Sequence, residues 1–364
     1  MRILFTGGGT IGSVSPLIAL AEHLRGEQSE KKEDKQKLRF LWIGTYGGPE
    51  WRVVWAAGIA GAQVYTGKLR RYLSLYNITD SFLLFIGFLQ SLYHILRFRP
   101  TVIVNAGSYV GVPVLWAGWM LGIPSVLLQL DIQPSLSNVV TAFSARAIAA
   151  SCSGAAEKLP RTKTVVTGIP VRSAIRRAYE SCRQKEKQTS VRAFLGIHDD
   201  RPYVLVVGGS TGAQYLNELA SNLDRLTGHP YHIVLISGNR GGVAEAERSE
   251  SFHQFPFLQE EYADVLARAD VVVCRAGMGT ISELAFLKKA AIVVPIPNSH
   301  QQENAGYFER EGGVIHLGQN QANAENVDRI IGSLIRDSSS REKLGNALSK
   351  LFYSDAAERV TRLL

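Results

Sequence analysis

The stretch Phe5-Thr6-Gly7-Gly8-Gly9-Thr10-Ile11-Gly12-Ser13-Val14-Ser15-Pro16 follows a short apolar run and opens a helical pattern. The second half of the chain repeats the arrangement in Val206-Val207-Gly208-Gly209-Ser210-Thr211-Gly212-Ala213-Gln214. In each, glycines carry a strand into a helix, and the turn's exposed N–H groups, with the helix dipole behind them, can receive an anion. Two such turns predict an α/β chain of two nucleotide-fold halves facing a cleft. Either turn alone also has a plainer reading, because glycine at this junction serves close packing of helix on sheet. Neither is a P-loop, since no Gly-Lys-Ser/Thr follows. The first lacks the third glycine of the dinucleotide fingerprint, and Phe40-Leu41-Trp42-Ile43-Gly44-Thr45 ends without an acidic residue. Hydride transfer is therefore disfavoured.

Outward from these turns, apolar runs alternate with helical patterns as a parallel sheet with crossover helices requires. Strands are predicted at 3–5, 40–43, 102–105, 125–128 and 147–150, then at 203–207, 232–236, 271–274 and 292–295. A change of character at Thr164-Val165-Val166-Thr167-Gly168-Ile169-Pro170-Val171-Arg172 divides the chain into domains 1–163 and 164–354. The last helix, 355–364, is free to pack back on the first domain. The charge run Ser29 to Lys37 is predicted as a solvated loop.

The 364 residues, 46% hydrophobic and 20% charged, are enough for two cored domains and too apolar for a disordered chain. Cys152, Cys182 and Cys274 lie far apart without metal-ligand spacing, so a reducing compartment and no metal site are expected. Met1 to Phe5 runs straight into the first turn, leaving no room for a signal peptide. The uncharged stretch 106–130 has the length of a membrane span. Glycines and prolines break it, and it reads as loop, buried helix, turn and strand.

A net charge of +8 suits a polyanionic partner. The basic residues are scattered and no nucleic-acid-binding signature is present, so nucleic acid is disfavoured. More local is the run Lys68, Arg70 and Arg71 ahead of Ser81-Phe82-Leu83-Leu84-Phe85-Ile86-Gly87-Phe88-Leu89, closed by Arg97 and Arg99. Basic flanks around so apolar a helix fit an anionic membrane surface, and equally a core helix with charged ends.

The second half carries Asp270-Val271-Val272-Val273-Cys274-Arg275-Ala276-Gly277-Met278-Gly279-Thr280-Ile281-Ser282-Glu283. Gly277, Met278 and Thr280 open a helix there, and Glu283 is placed to accept bonds from a ribose diol or, alternatively, to complete a capping box with Thr280. Val294-Pro295-Ile296-Pro297-Asn298-Ser299-His300-Gln301-Gln302-Glu303-Asn304-Ala305 then clusters amides suited to sugar hydroxyls. Together these residues describe a nucleotide-sugar site.

On Gly8-Gly9-Thr10 with Pro16, Gly67-Lys68-Leu69-Arg70-Arg71-Tyr72, Leu121-Gly122-Ile123-Pro124, Thr167-Gly168 with Pro170-Val171-Arg172, the Gly208 to Gln214 turn, Arg275 to Glu283, and His300-Gln301 with Asn304-Ala305, the chain resembles the MurG family over nearly its whole length. The resemblance implies a GT-B fold, two Rossmann-like parallel-sheet domains facing a central cleft. It implies inverting transfer of N-acetylglucosamine from UDP-N-acetylglucosamine to an undecaprenyl-diphosphate-linked muramoyl peptide, lipid I, at the cytoplasmic face of the membrane, without a cofactor or tightly bound metal. Carried over residue by residue, it implies that Gly209, Ser210, Thr211, Gly212 and Ala213 cradle the UDP diphosphate with help from Arg172. Glu283 would hold the ribose beside Gly277, Met278 and Thr280, and His300, Gln301 and Asn304 would meet the sugar. Gly8, Gly9, Thr10 and Gly12 would meet the diphosphate of lipid I, and Gln129 and Asn138 would join the substrate-binding residues.

The chain departs from the family at three points. Ser13 stands where the family's first motif has a histidine, after Ile11 for a glycine. Leu128-Gln129-Leu130-Asp131 replaces a segment holding histidine and glutamate, and Ile169 replaces an asparagine. Serine and glutamine are not general bases near neutral pH, which leaves Asp131 as the expected proton acceptor and Ser13 in reserve. A related transferase with another lipid or small-molecule acceptor, and a catalytically silent UDP-sugar-binding scaffold, are the rival readings.

Overall fold

The computed structural model describes residues 1–9, 11–30, 38–67, 76–182, 184–209, 213–226, 228, 230–238 and 248–364. Thr10, Lys68, Arg70, Arg71, Ser210, Thr211 and Gly212, all singled out above, lie outside the described residues. The chain divides into two units, Met1–Arg172 with Tyr353–Leu364, and Ser173–Phe352.

The first unit runs β1 (Arg2–Thr6), α1 (Ile11–Glu30), β2 (Arg39–Thr45), α2 (Trp51–Ala56), β3 (Ala60–Val64), α3 (Tyr76–Phe98), β4 (Val102–Asn105), α4 (Gly111–Met120), β5 (Ser125–Gln129), α5 (Leu136–Thr141), β6 (Ala147–Ala150), α6 (Ser153–Ala156) and β7 (Thr164–Val166). Its seven strands, all parallel, take the order β3-β2-β1-β4-β5-β6-β7. The central strands are unbroken apolar runs because helices cover both their faces. Ile3, Phe5, Val104 and Leu128 pack toward α1 and α2, while Leu4, Ile43, Ile103 and Leu127 pack toward the α4 side with Val110, Val114 and Leu115. The order reverses between β1 and β4, and ligands of open α/β sheets sit at the carboxyl edge of such a switch point.

The second unit runs α7 (Ser173–Ser181), α8 (Lys185–Leu195), β8 (Tyr203–Val207), α9 (Gln214–Asp224), β9 (His232–Ile236), β10 (Phe252–Phe255), α10 (Tyr262–Arg268), β11 (Val271–Cys274), α11 (Met278–Leu287), β12 (Ala291–Val293), α12 (His300–Arg310), β13 (Ile315–His316), α13 (Ala324–Arg336) and α14 (Ser338–Lys350). Its six parallel strands take the order β10-β9-β8-β11-β12-β13, with the reversal between β8 and β11.

The boundary expected at 163 falls instead at Arg172. Residues 164–166 form β7, the edge strand of the first sheet, so the break in pattern marks a sheet edge rather than a new domain. Tyr353–Leu364, including α15 (Ala356–Thr361), belongs to the first unit, where Val360 joins the core. The guanidinium of Arg146 donates to the backbone carbonyls of Leu363 and Leu364. Ser29 and Glu30 end helix α1 rather than start a loop; 31–37 of that charge run lie outside the described residues. Residues 106–130 hold the ten-residue α4 and strand β5, so the length that imitated a span belongs to two elements. Among the described residues the helix long and apolar enough to cross a membrane is α3, over Thr79–Phe98.

Candidate nucleotide-sugar site

In the first unit, the β1–α1 turn rests on a buried carboxylate. Gly8 is buried and Gly9 takes φ +80°, a left-handed conformation natural to glycine. The Gly9 N–H donates to Glu50 Oε2 at 3.2 Å, the Thr45 N–H to Glu50 Oε1 at 2.6 Å, and the Thr45 hydroxyl to the same oxygen. Glu50 is fully buried. The ring of Tyr109 lies against Gly9, and burial first, then the Glu50 charge, raises its phenol above the ordinary value. Gly12 is exposed and Ser13 half-buried in the first turn of α1.

Past β5, Gln129 and Asn138 are both buried and joined to each other. Asn138 Nδ2 donates to Gln129 Oε1 at 2.6 Å, and Gln129 Nε2 donates to the backbone carbonyl of Asp131. The Gln129 amide thus braces the loop carrying Asp131. Asp131 is half-buried and does not cap α5, whose cap is Ser135, accepting from the Asn138 N–H at 3.2 Å. Thr6 Oγ1, both polar atoms of Asn105 and Asn138 Oδ1 are buried without a hydrogen-bond partner among the described residues. Thr6 and Asn105 are register partners at the switch point.

In the second unit, β8 ends in Gly208 and Gly209. A Cβ on Gly208 would lie 2.5 Å from the Ala213 nitrogen, whereas one on Gly209, at φ +85°, meets nothing within 4 Å among the described residues. Gly208 therefore serves packing. Ala213 occupies the N-cap of α9 and makes no side-chain cap bond to that helix. Helix α11 is built the same way with Gly277 at its N-cap, Met278 buried and Thr280 half-buried.

The cap at Gly277 overturns the capping-box reading of Thr280 with Glu283, because Glu283 lies beyond the first turn. Its carboxylate is buried, and the Tyr262 hydroxyl donates to Oε2 at 3.1 Å. Arg275, also buried, donates from Nη1 to the carbonyls of Val294 (3.0 Å) and Pro295 (3.1 Å) and to Gln319 Oε1 (3.3 Å), above the Tyr215 ring. Burial lowers its pKa. It pins the loop that leads into α12. There Ser299 caps the helix, exposed His300 is its first residue, and Gln301 Oε1 accepts from the Ile296 N–H at 3.2 Å. Asn304 is fully buried and donates to Ala276 at 3.1 Å, tying α12 to the β11–α11 turn.

Arg172 closes the first unit, although the sequence reading grouped it with the second. The sequence pattern assigns no role to Glu50, Tyr109 or Tyr262, nor to Thr45 and Arg275, which lie within its motif stretches. No local pattern marks Glu50 or Tyr262.

Two Rossmann-like units, each with a glycine turn at the carboxyl edge of a parallel sheet, define the GT-B architecture. Residues 3–150 match the glycosyltransferase family 28 N-terminal domain and residues 203–360 its C-terminal domain, and the chain belongs to glycosyltransferase family 28. A Bacillus cereus relative named UDP-N-acetylglucosamine--N-acetylmuramyl-(pentapeptide) pyrophosphoryl-undecaprenol N-acetylglucosamine transferase 2 is 32% identical, over 99% of this chain and 97% of its own. The crystal structure of Acinetobacter baumannii MurG superposes with a TM-score of 0.73 at 22% identity, covering 100% of this chain and 98% of that one. A Neisseria meningitidis UDP-GlcNAc 2-epimerase bound to UDP-GlcNAc gives 0.69 at 14% identity, covering 100% and 99%. A transferase and an epimerase thus share this fold, and the fold alone does not choose between them.

Proposed function

We propose that the chain transfers N-acetylglucosamine from UDP-N-acetylglucosamine to the 4-hydroxyl of an undecaprenyl-diphosphate-linked muramoyl peptide, with inversion. The observation that carries the reading is the full-length 32% identity to a relative named for this transfer. The N-termini of α9 and α11, with the buried Glu283 carboxylate near the latter, fit the donor nucleotide. In this reading Gly209 to Ala213 receive the diphosphate with Arg172, Glu283 binds the ribose diol, and His300 and Gln301 meet the sugar. The acceptor diphosphate takes the Gly8 to Gly12 turn. The acceptor hydroxyl attacks the anomeric carbon opposite UDP while Asp131 takes its proton, and oriented N–H groups stabilise the departing diphosphate.

In this reading the chain works at the cytoplasmic face of the membrane as a peripheral protein, where it meets the lipid of its acceptor. Helix α3 supports this: Phe82, Phe85, Leu89, Tyr93 and Leu96 are exposed along it, an apolar stripe that water alone does not favour. Lys68, Arg70 and Arg71 would add attraction to anionic lipid.

An acceptor panel tests the reading. Purified lipid I should be glycosylated far faster than polyprenyl-diphosphate sugars lacking the peptide or simple glycolipids. Preference for a different acceptor would assign a sister activity.

A further inference from the structure

We infer that Glu50 is the positioning residue of the first glycine turn, setting its backbone for the acceptor's diphosphate without touching the acceptor. The inference rests on the transferase reading above. Glu50 precedes α2, yet its side chain makes no cap bond to that helix. A buried carboxylate is costly to keep unless hydrogen bonds compensate, and this one is spent on the turn. One oxygen takes the Thr45 N–H and hydroxyl, and the other takes the Gly9 N–H.

The surrounding glycines leave room for it, together with Thr45 and Trp51. A Cβ on Gly8 would lie 2.3 Å from Glu50 Oε1, one on Gly44 2.9 Å from the same atom, and one on Gly48 2.2 Å from Oε2. The carboxylate is therefore the floor under Gly8 and Gly9, and it draws the Gly9 N–H inward. An anion arriving at the turn meets the N–H groups that begin α1 instead, which no carbonyl of that helix can satisfy. A negative charge beneath an anion site is tolerable only because bound donors hold it. Glutamine in its place keeps the shape but presents an NH2 group to one of those donors, so the turn must shift.

Steady-state kinetics on the full chain tests this, with Glu50→Gln and Thr45→Val, which removes one donor and keeps the carboxylate. Both variants should raise KM for the lipid-linked acceptor by about tenfold or more, because small misplacements of a binding group are costly. KM for UDP-N-acetylglucosamine should stay within about twofold, since the change is confined to ground-state acceptor binding. Thermal melts accompany each variant, and if Glu50→Gln fails to fold, Thr45→Val decides. A wild-type chain that transfers nothing refutes the transferase reading and this inference with it. A wild-type chain that transfers, beside folded variants with unchanged acceptor KM or with both KM values raised equally, refutes the positioning role alone.

Discussion

At the scale of residues, the two carboxylates proposed to act on substrates make opposite demands on their surroundings. Glu283 is buried and steadied by Tyr262, as suits a fixed acceptor for ribose hydroxyls. Its replacement by alanine should weaken UDP binding by about 1–3 kcal/mol, and Tyr262→Phe, which removes the hydroxyl bond to that carboxylate, by about 1 kcal/mol or less. Calorimetry with UDP reads both, and unchanged affinity in Glu283→Ala would remove the ribose assignment. Asp131 must reach a hydroxyl, and its half-buried place on a loop braced by Gln129 suits that. Asp131→Asn should lower turnover by about a hundredfold while sparing donor affinity. Near-normal turnover in the folded variant would return the proton to Ser13 or to a water.

At the scale of elements, what the sequence made legible follows from burial. Every central strand was readable, because a strand covered on both faces is an unbroken apolar run. The strands that escaped, β3, β7, β10 and β13, are the four sheet edges. Ala60-Gly61-Ala62-Gln63-Val64 and Phe252-His253-Gln254-Phe255 mix polar and small residues because one flank has no neighbour to satisfy. The glycine turns were legible as motifs, but Glu50 and Tyr262 reach their sites through tertiary packing that no local pattern encodes. Edge strand β10 also carries a pH dependence. His253 Nε2 lies 3.0 Å from His232 Nδ1, whose ring bonds Asp199 at 2.8 Å through Nε2. Burial first, then the charges of His232, His198 and Arg201, lowers His253 to about 4, against an opposing pull from Asp199. The His232 bond first, then Arg201, holds Asp199 well below the usual carboxylate range. Both groups bind fewer protons folded than unfolded, so their stabilisation is present at neutral pH and lost on acidification. The His253 share goes as pH falls from about 6.5 to about 4, and the Asp199 share below about 4. Melting temperature should fall over the first window, and His253→Gln should flatten that fall; an equal slope in the variant would contradict it. For α3, Phe85→Ser with Leu89→Ser should cut sedimentation with anionic vesicles by about tenfold, and added salt should weaken wild-type binding as the Debye length shrinks. Indifference to both changes would leave the stripe without a membrane role.

At the scale of the whole molecule, the chain leaves its first unit after Arg172 and returns to it at Tyr353, so the second unit is an insertion closed by α15. Val360, fully buried in the first unit's core, fastens that return. Val360→Ala should cost about 1–2 kcal/mol of stability, read by chemical denaturation of the full chain, and no change would mean the terminal helix is dispensable. The central claim is transfer to a lipid-linked acceptor by a chain that carries Ser13 in its first turn and Gln129 at the end of β5. The direct measurement incubates the chain with radiolabelled UDP-N-acetylglucosamine and purified lipid I, follows label into the lipid fraction, and measures donor binding by calorimetry alongside. The account predicts time-dependent label in lipid that requires both substrates and falls steeply in Asp131→Asn. Donor binding with no label in lipid would contradict it and make the chain a UDP-sugar-binding protein without transferase activity.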